Sequence, residues 1–159
     1  MRLVIAAVGR ARSAPEARLA GEYLDRLNGM ARPLGLGPAT LIEVEDRKAP
    51  GPQRAVREAG LLRGAAPEGA RLVALDERGK ALTSGQLARQ LADWRDSGVP
   101  ATAFLIGGAD GLTPELRQEA DFILSFGPAT WPHLLVRTML SEQLYRAATI
   151  LAGHPYHRQ

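Results

Sequence analysis

Apolar runs of strand length alternate with segments of helical period along this chain, the pattern of an α/β protein with a mostly parallel sheet and helices on both faces. Residues 3–8 form an unbroken apolar run, read as a buried strand ending at Gly9. Ser13 and Glu16 have capping-box spacing, which predicts a helix to about Asn28 with Ala17, Ala20, Tyr23, Leu24 and Leu27 on one face. Gly35, Gly37 and Pro38 interrupt the chain, and residues 40–44 alternate like a second strand nearer an edge. Residues 46–52 are polar and Pro-containing and read as a mobile loop. Residues 54–63 predict a second helix with Val56, Leu61 and Leu62 inward.

The second half is more regular. A strand over 71–75 is followed by a turn, Asp76-Glu77-Arg78-Gly79. Thr83 and Gln86 make another capping box, opening a helix that carries Leu87, Leu91 and Trp94. Residues 101–106 are the strongest buried strand and run into Gly107-Gly108. Thr113-Pro114-Glu115 supplies a cap with Pro at the first helical position, so a short helix follows. A fifth strand covers 121–126. Two prolines keep 127–132 out of any helix or central strand. A long helix then runs from His133 to about Leu151, with a tail beyond Gly153. No repeat or long linker divides the sequence, so one domain over 1–159 is expected.

Composition narrows the chemistry. With no cysteine in 159 residues, a disulfide framework, a thiolate zinc site and a cysteine nucleophile are excluded together. No apolar run approaches the ~18 residues of a membrane span. The first strand is too short, and lacks the basic flank, to be a signal peptide, so the cytoplasm is the expected location and no membrane partner is expected. Net charge is +3, carried by 18 Arg and only 2 Lys. Arginine forks bind phosphate in a bidentate way, but Ala- and Gly-rich chains also favour Arg through codon usage. A charge of +3 therefore permits a nucleic-acid partner without demanding one.

Candidate chemistry gathers at three strand-to-helix junctions, after Leu75, Ile106 and Phe126. In open α/β sheets ligands bind beyond the carboxyl ends of the strands. Gly107-Gly108-Ala109-Asp110-Gly111 allows close approach to backbone N–H groups. It lacks the spacing of a dinucleotide fingerprint and the Lys-Ser/Thr of a phosphate loop, and it reads equally as a tight connection. Gly127-Pro128-Ala129-Thr130-Trp131-Pro132 is stiffened by its prolines and suits reading a purine edge through the backbone. It also reads as a rigid turn whose Trp131 fills the core. His154 and His157 sit three apart around a proline with no third ligand, so no metal is expected. Tyr, His and Arg in that tail can stack on and hydrogen-bond an unstacked RNA base.

Taken in order, several segments resemble one family: Leu75-Asp76-x-x-Gly79-Lys80, Phe104-Leu105-Ile106-Gly107-Gly108-x-x-Gly111-Leu112, Leu124-Ser125-Phe126, Pro132-His133-x-x-x-Arg137, Glu142-x-Leu144-Tyr145-Arg146-Ala147 and His154-Pro155-Tyr156-His157-Arg158. The chain resembles, from Ala7-Val8-Gly9 to its end, the RlmH family of ribosomal RNA large-subunit methyltransferases in the SPOUT superfamily. The resemblance implies S-adenosylmethionine-dependent methylation of N3 of a pseudouridine in 23S rRNA on assembled ribosomes, with no DNA partner. It also implies a homodimer and a C-terminal deep trefoil knot, where periodicity alone suggests an unknotted sheet. It places cofactor contacts on Leu75, Gly108, Gly127, Pro128, Ala129, Thr130, Trp131 and Pro132. Gly127-Pro128 departs from the family's usual Ser and non-proline residue. His133, Arg137, Tyr156, His157 and Arg158 are the expected base-pocket residues, the tail being contributed across the dimer. The alternatives are a non-catalytic knotted RNA- or ribosome-binding module, or a SPOUT methyltransferase acting on another RNA.

Overall fold

The computed structural model describes residues 1–46 and 51–156, with backbone alone at 51 and 52. Five strands, β1 (Arg2–Val8), β2 (Ala39–Val44), β3 (Arg71–Ala81), β4 (Ala101–Ile106) and β5 (Phe122–Ser125), alternate with five α-helices. The helices are α1 (Pro15–Ala31), α2 (Gly51–Ala65), α3 (Ser84–Asp96), α4 (Pro114–Glu119) and α5 (His133–Leu151). The sheet order is β2-β1-β4-β3-β5 and every pairing is parallel. All five carboxyl ends therefore lie on one edge.

Side-chain alternation sorts the core into two layers. Leu3, Ile5 and Ala7 of β1, with Phe104 and Ile106 of β4, pack with residues of α1, α3 and α5. Val4, Ala6 and Val8, with Ala103 and Leu105, pack with Leu62 of α2 and Leu116 of α4. All six residues of β4 are buried, Thr102 among them, as a near-continuous apolar run requires in a central strand covered on both faces. The predicted edge strand is β2, at one end of the sheet.

Caps at α3 and α4 form as predicted. Thr83 and Gln86 satisfy each other's backbone N–H groups, and the Thr113 hydroxyl accepts from Leu116 N. The box at Ser13 does not form. Pro15, lacking an N–H and fixed in φ, takes the first helical position, so Ala14 is the N-cap and makes no side-chain capping bond. In α2 only Leu62 of the expected trio is buried. Its inward stripe is Ala59, Leu62 and Ala65, at three-residue spacing, while Val56 is 67% exposed and Leu61 also faces out. The small alanines form the helix face, and the pattern of larger apolar residues concealed them. The predicted mobile loop lies outside the described residues at 47–50, and Gly51 already begins α2.

The turn after Leu75 is a different structure. Strand β3 does not end there: Leu75 and Lys80 both pair with Leu124, so Asp76 to Gly79 are extruded and the strand resumes at Lys80 and Ala81. This excursion overhangs the carboxyl edge of the sheet. No helix among the described residues is long and apolar enough to cross a membrane.

Candidate functional site

Because the strands are parallel, the three junctions meet, and they enclose a cleft of about 340 Å³. Leu75 and the extruded Asp76, Glu77 and Arg78 form one wall. Gly107 to Leu112 form a second, and Gly127, Ala129, Thr130 and Trp131 a third. His133 and Val136 at the start of α5 close the base. Of the eight residues expected at a cofactor, Leu75, Gly108, Gly127, Ala129, Thr130 and Trp131 line the cleft. Pro128 and Pro132 are exposed and outside the lining, and Pro132 is the N-cap of α5. Trp131 is 43% exposed at the cleft wall, so it does not fill the core.

The glycine wall is folded tightly upon itself. Gly108 and Gly111 form an isolated antiparallel bridge, with Gly111 N donating to Gly108 O at 3.0 Å. A β-carbon on Gly107 would lie 2.5 Å from Gly111 O and 2.8 Å from Leu112 N, which reserves the position for glycine. At Gly108 the added carbon would approach Val8 Cγ1 at 3.0 Å and Glu58 Oε2 at 3.6 Å. Its direction is toward α2.

Two side chains outside the expected set stitch the walls together. Arg117 of α4 donates from Nη1 to Asp76 Oδ2 and to Leu112 O, both at 3.1 Å, joining the β3 excursion to the glycine wall. The Ser125 hydroxyl lies 3.1 Å from the carbonyls of Glu77 and Gly127 and accepts from Gly127 N at 3.0 Å, joining the excursion to the Pro-rich loop. Ser125 and Asp76 lie in segments already singled out in the sequence. Arg117 carries no local signal, because its partners come from other elements.

The expected base-pocket residues separate. His133 borders the cleft, and burial first, then the charge of Arg137, hold its pKa below the ordinary value. Arg137, one turn further along α5, is 1% exposed and its guanidinium is engaged. Nη1 donates to Glu43 Oε1 at 2.9 Å, and Nη2 donates to Gly9 O at 2.9 Å and to Val8 O. Glu43 Oε1 also accepts from Ala11 N at 2.8 Å. Arg137 thus clamps the β1–α1 connection against β2 and α5, beneath His133.

Beyond α5 the chain turns back, and Tyr156 lies beside Glu142, Tyr145 and Arg146, nine to thirteen residues on from His133 or roughly 14–20 Å at 1.5 Å per residue. Its ring sits 4.7 Å from that of Tyr145 and beneath Arg146, and its hydroxyl donates to Glu142 Oε1 at 3.2 Å. Burial, with Tyr23 and Glu142 beside it, pushes this phenol up to about 12. His157 and Arg158 lie outside the described residues. A groove of about 770 Å³ runs between α1, α3 and α5, bordered by Leu19, Tyr23, Leu82, Leu87 and Met139.

Comparison with known proteins gives this geometry a context. A family model described as predicted SPOUT methyltransferase matches residues 1–157. The chain is 58% identical over 158 residues to ribosomal RNA large subunit methyltransferase H of Ruegeria pomeroyi, covering 99% of each. It is 57% identical to the protein of that name from Paracoccus denitrificans, covering 100% of each. A probable methylase family protein from Haemophilus influenzae shares the fold, with a TM-score of 0.54 at 14% identity over 99% of this chain and 70% of that one.

Proposed function

The chain belongs to the SPOUT methyltransferase family, and from that premise we propose that it methylates large-subunit ribosomal RNA, at N3 of a pseudouridine of 23S rRNA, using S-adenosylmethionine. The observation that carries the proposal is the convergence of three junctions on one glycine- and proline-walled cleft, with His133 at its base. The relatives matched along their whole length bear the name of a large-subunit rRNA methyltransferase.

The cleft suits the cofactor. Its volume falls in the range of small-molecule sites, ~300–1,000 Å³. Leu75 and the exposed face of Trp131 offer apolar walls to a purine, and the Gly107–Gly108 backbone admits close approach. Asp76, Glu77 and Asp110 suit a ligand carrying positive charge, and Arg117 and Arg78 suit a carboxylate. Bound S-adenosylmethionine supplies a methyl group on a sulfonium whose leaving group is already activated. The protein's task is then chiefly positioning, since aligned reacting groups gain most of the attainable acceleration. Arg117 and Ser125 fix the three walls relative to one another, and the clamp of Arg137 holds the floor.

The homodimer belongs to this proposal. Tyr156 is held on α5 beside Glu142, Tyr145 and Arg146, roughly 14–20 Å along the helix from His133, which supports a reading in which the tail that serves the cleft comes from a second copy. The apolar groove beside α1 and α5 is a surface on which that copy could pack. The knot belongs to it as well, supported by the return of the chain after edge strand β5 to seat α5 against β1 and β4, between α1 and α3, a path that a knotted chain would share. One domain acting in the cytoplasm completes the reading.

The test is incubation of the protein with labelled S-adenosylmethionine and ribosomes from cells lacking the modification, followed by mapping of the labelled nucleotide. Label at N3 of a 23S pseudouridine is expected; label elsewhere, or none, overturns the assignment. Truncation after Gly153 is expected to preserve the fold and cofactor binding while abolishing transfer, and a fully active truncation removes the tail from the site.

A further inference from the structure

A second cavity, also about 340 Å³, lies against the first on the α2 side of the glycine wall. The two share Gly108, Ala109, Asp110 and His133, so they adjoin along the glycine wall and His133 borders both. Gly108 leaves that shared border free of a side chain. Glu58 Oε2 stands 3.6 Å from where its β-carbon would be. The remaining border is polar, with Arg12, Arg54, Glu45 and Asp46 around Glu58.

We propose that this second cavity receives the target base and that Glu58 is the catalytic residue that takes the proton from its imide N–H. The inference rests on the methyltransferase reading above. The imide edge of a uracil-type base presents an N–H donor between two carbonyl acceptors. Glu58 offers an acceptor with the Arg54 guanidinium beside it, and Arg12 and His133 on the same border add donors, a pattern that can meet both the N–H and a carbonyl of that edge. In the step, a Glu58 carboxylate oxygen takes the N3 proton and the freed nitrogen lone pair forms the new N–C bond to the methyl. The C–S bond breaks with its electron pair passing to sulfur. Carboxylate and sulfonium become carboxylic acid and thioether, so charge balances, and the proton returns to water when the base leaves.

The surroundings tune Glu58 for this exchange. Burial raises its pKa above the ordinary glutamate value, and Asp110, Asp46 and Glu45 add to the rise while Arg54 opposes it. Arg12 from the β1–α1 connection and His133 from α5 are the other charged or titratable groups bordering the cavity. A base whose pKa approaches working pH is the more effective proton acceptor. Arg12 also holds φ at +47°, a left-handed conformation uncommon for a residue with a side chain and frequent at functional sites.

The decisive variants are Glu58→Gln and Glu58→Asp, compared with the unaltered protein in single-turnover methyl transfer across pH, in calorimetric titration with S-adenosylmethionine, and by ¹³C titration of the Glu58 carboxyl. Loss of a general base costs on the order of 100-fold or more. Glu58→Gln is therefore expected to lose at least that in rate and the acid limb of its pH profile, with cofactor affinity unchanged. Glu58→Asp should keep the limb at reduced rate, and the carboxyl should titrate above ordinary glutamate. A Gln variant that keeps its rate or its acid limb, or a carboxyl that titrates normally, overturns the role of Glu58 alone. Lost cofactor affinity in the Gln variant reassigns Glu58 to the first cleft. An unaltered protein that methylates no imide nitrogen overturns the functional reading itself.

Discussion

Replacing Gly107 by alanine tests the idea that the cleft is shaped by backbone rather than by side chains. The new β-carbon would lie 2.5 Å from Gly111 O and 2.8 Å from Leu112 N. Ordinary contact needs about 3.4 Å, so the two limbs of the turn must separate by roughly 0.6 to 0.9 Å. Rotation of a side chain cannot absorb this, because both contacts are backbone atoms held by the Gly108–Gly111 bridge and the Gly111 N–H bond. Overpacking of this kind costs about 1–3 kcal/mol. For a chain of this size that corresponds to a fall in Tm of roughly 3–9 °C. Cofactor affinity should fall as well, because Gly107 and Gly111 both line the cleft and their separation reshapes its wall. Thermal melting and calorimetric titration with S-adenosylmethionine check both effects. Gly60→Ala is the control, since its β-carbon meets nothing within 4 Å on helix α2, and it should raise stability by about 0.5–1 kcal/mol. A Gly107→Ala protein with unchanged Tm and unchanged affinity refutes the reasoning.

Arg137→Ala strips donors from Glu43 and from the Val8 and Gly9 carbonyls, and should cost about 3 kcal/mol in urea unfolding; a loss below ~1 kcal/mol would refute the clamp. His133 is held below its ordinary pKa of 6.5, so as pH falls the unfolded chain takes up the proton first. Its contribution to stability is complete above about pH 6.5 and declines as pH falls from there toward the lowered folded value. His133→Asn should remove that part of the decline in unfolding measured at about pH 7.5 and 5.5, and equal declines in both proteins would contradict the assigned environment.

Elements governed by local backbone rules were legible in the sequence. The buried run of β4, the Thr83 and Thr113 caps and the start of α5 after Pro132 all depend on residues within a few positions of one another. The junctions were legible for the same reason, since Gly and Pro act on φ and ψ where they stand. The excursion of β3 was not, because it needs Leu124 to pair with both Leu75 and Lys80. The role of Arg137 was hidden in a similar way, as Glu43 lies 94 residues away. Sequence supplied a resemblance in which Arg137 stood among pocket residues, and only the distances to Val8, Gly9 and Glu43 separate a clamp from a contact.

The separation of His133 from Tyr156 has a mechanical consequence for the proposed assembly. For its own Tyr156 to reach the cleft, a chain would have to break the hydroxyl bond to Glu142 and lift the ring off Tyr145 and from beneath Arg146. An aromatic pair is worth about 0.5–1.5 kcal/mol and an Arg–ring contact about 0.5–1 kcal/mol, so release costs roughly 1–2.5 kcal/mol before the hydrogen bond is counted. Tyr156 is therefore held on its own helix, at least two and a half turns from His133. Either a second copy brings another tail to the cleft, or the proton transfer falls to groups already there, of which Glu58 stands near Gly108. The two are compatible: a tail from the partner would hold the RNA, and Glu58 would act on the base.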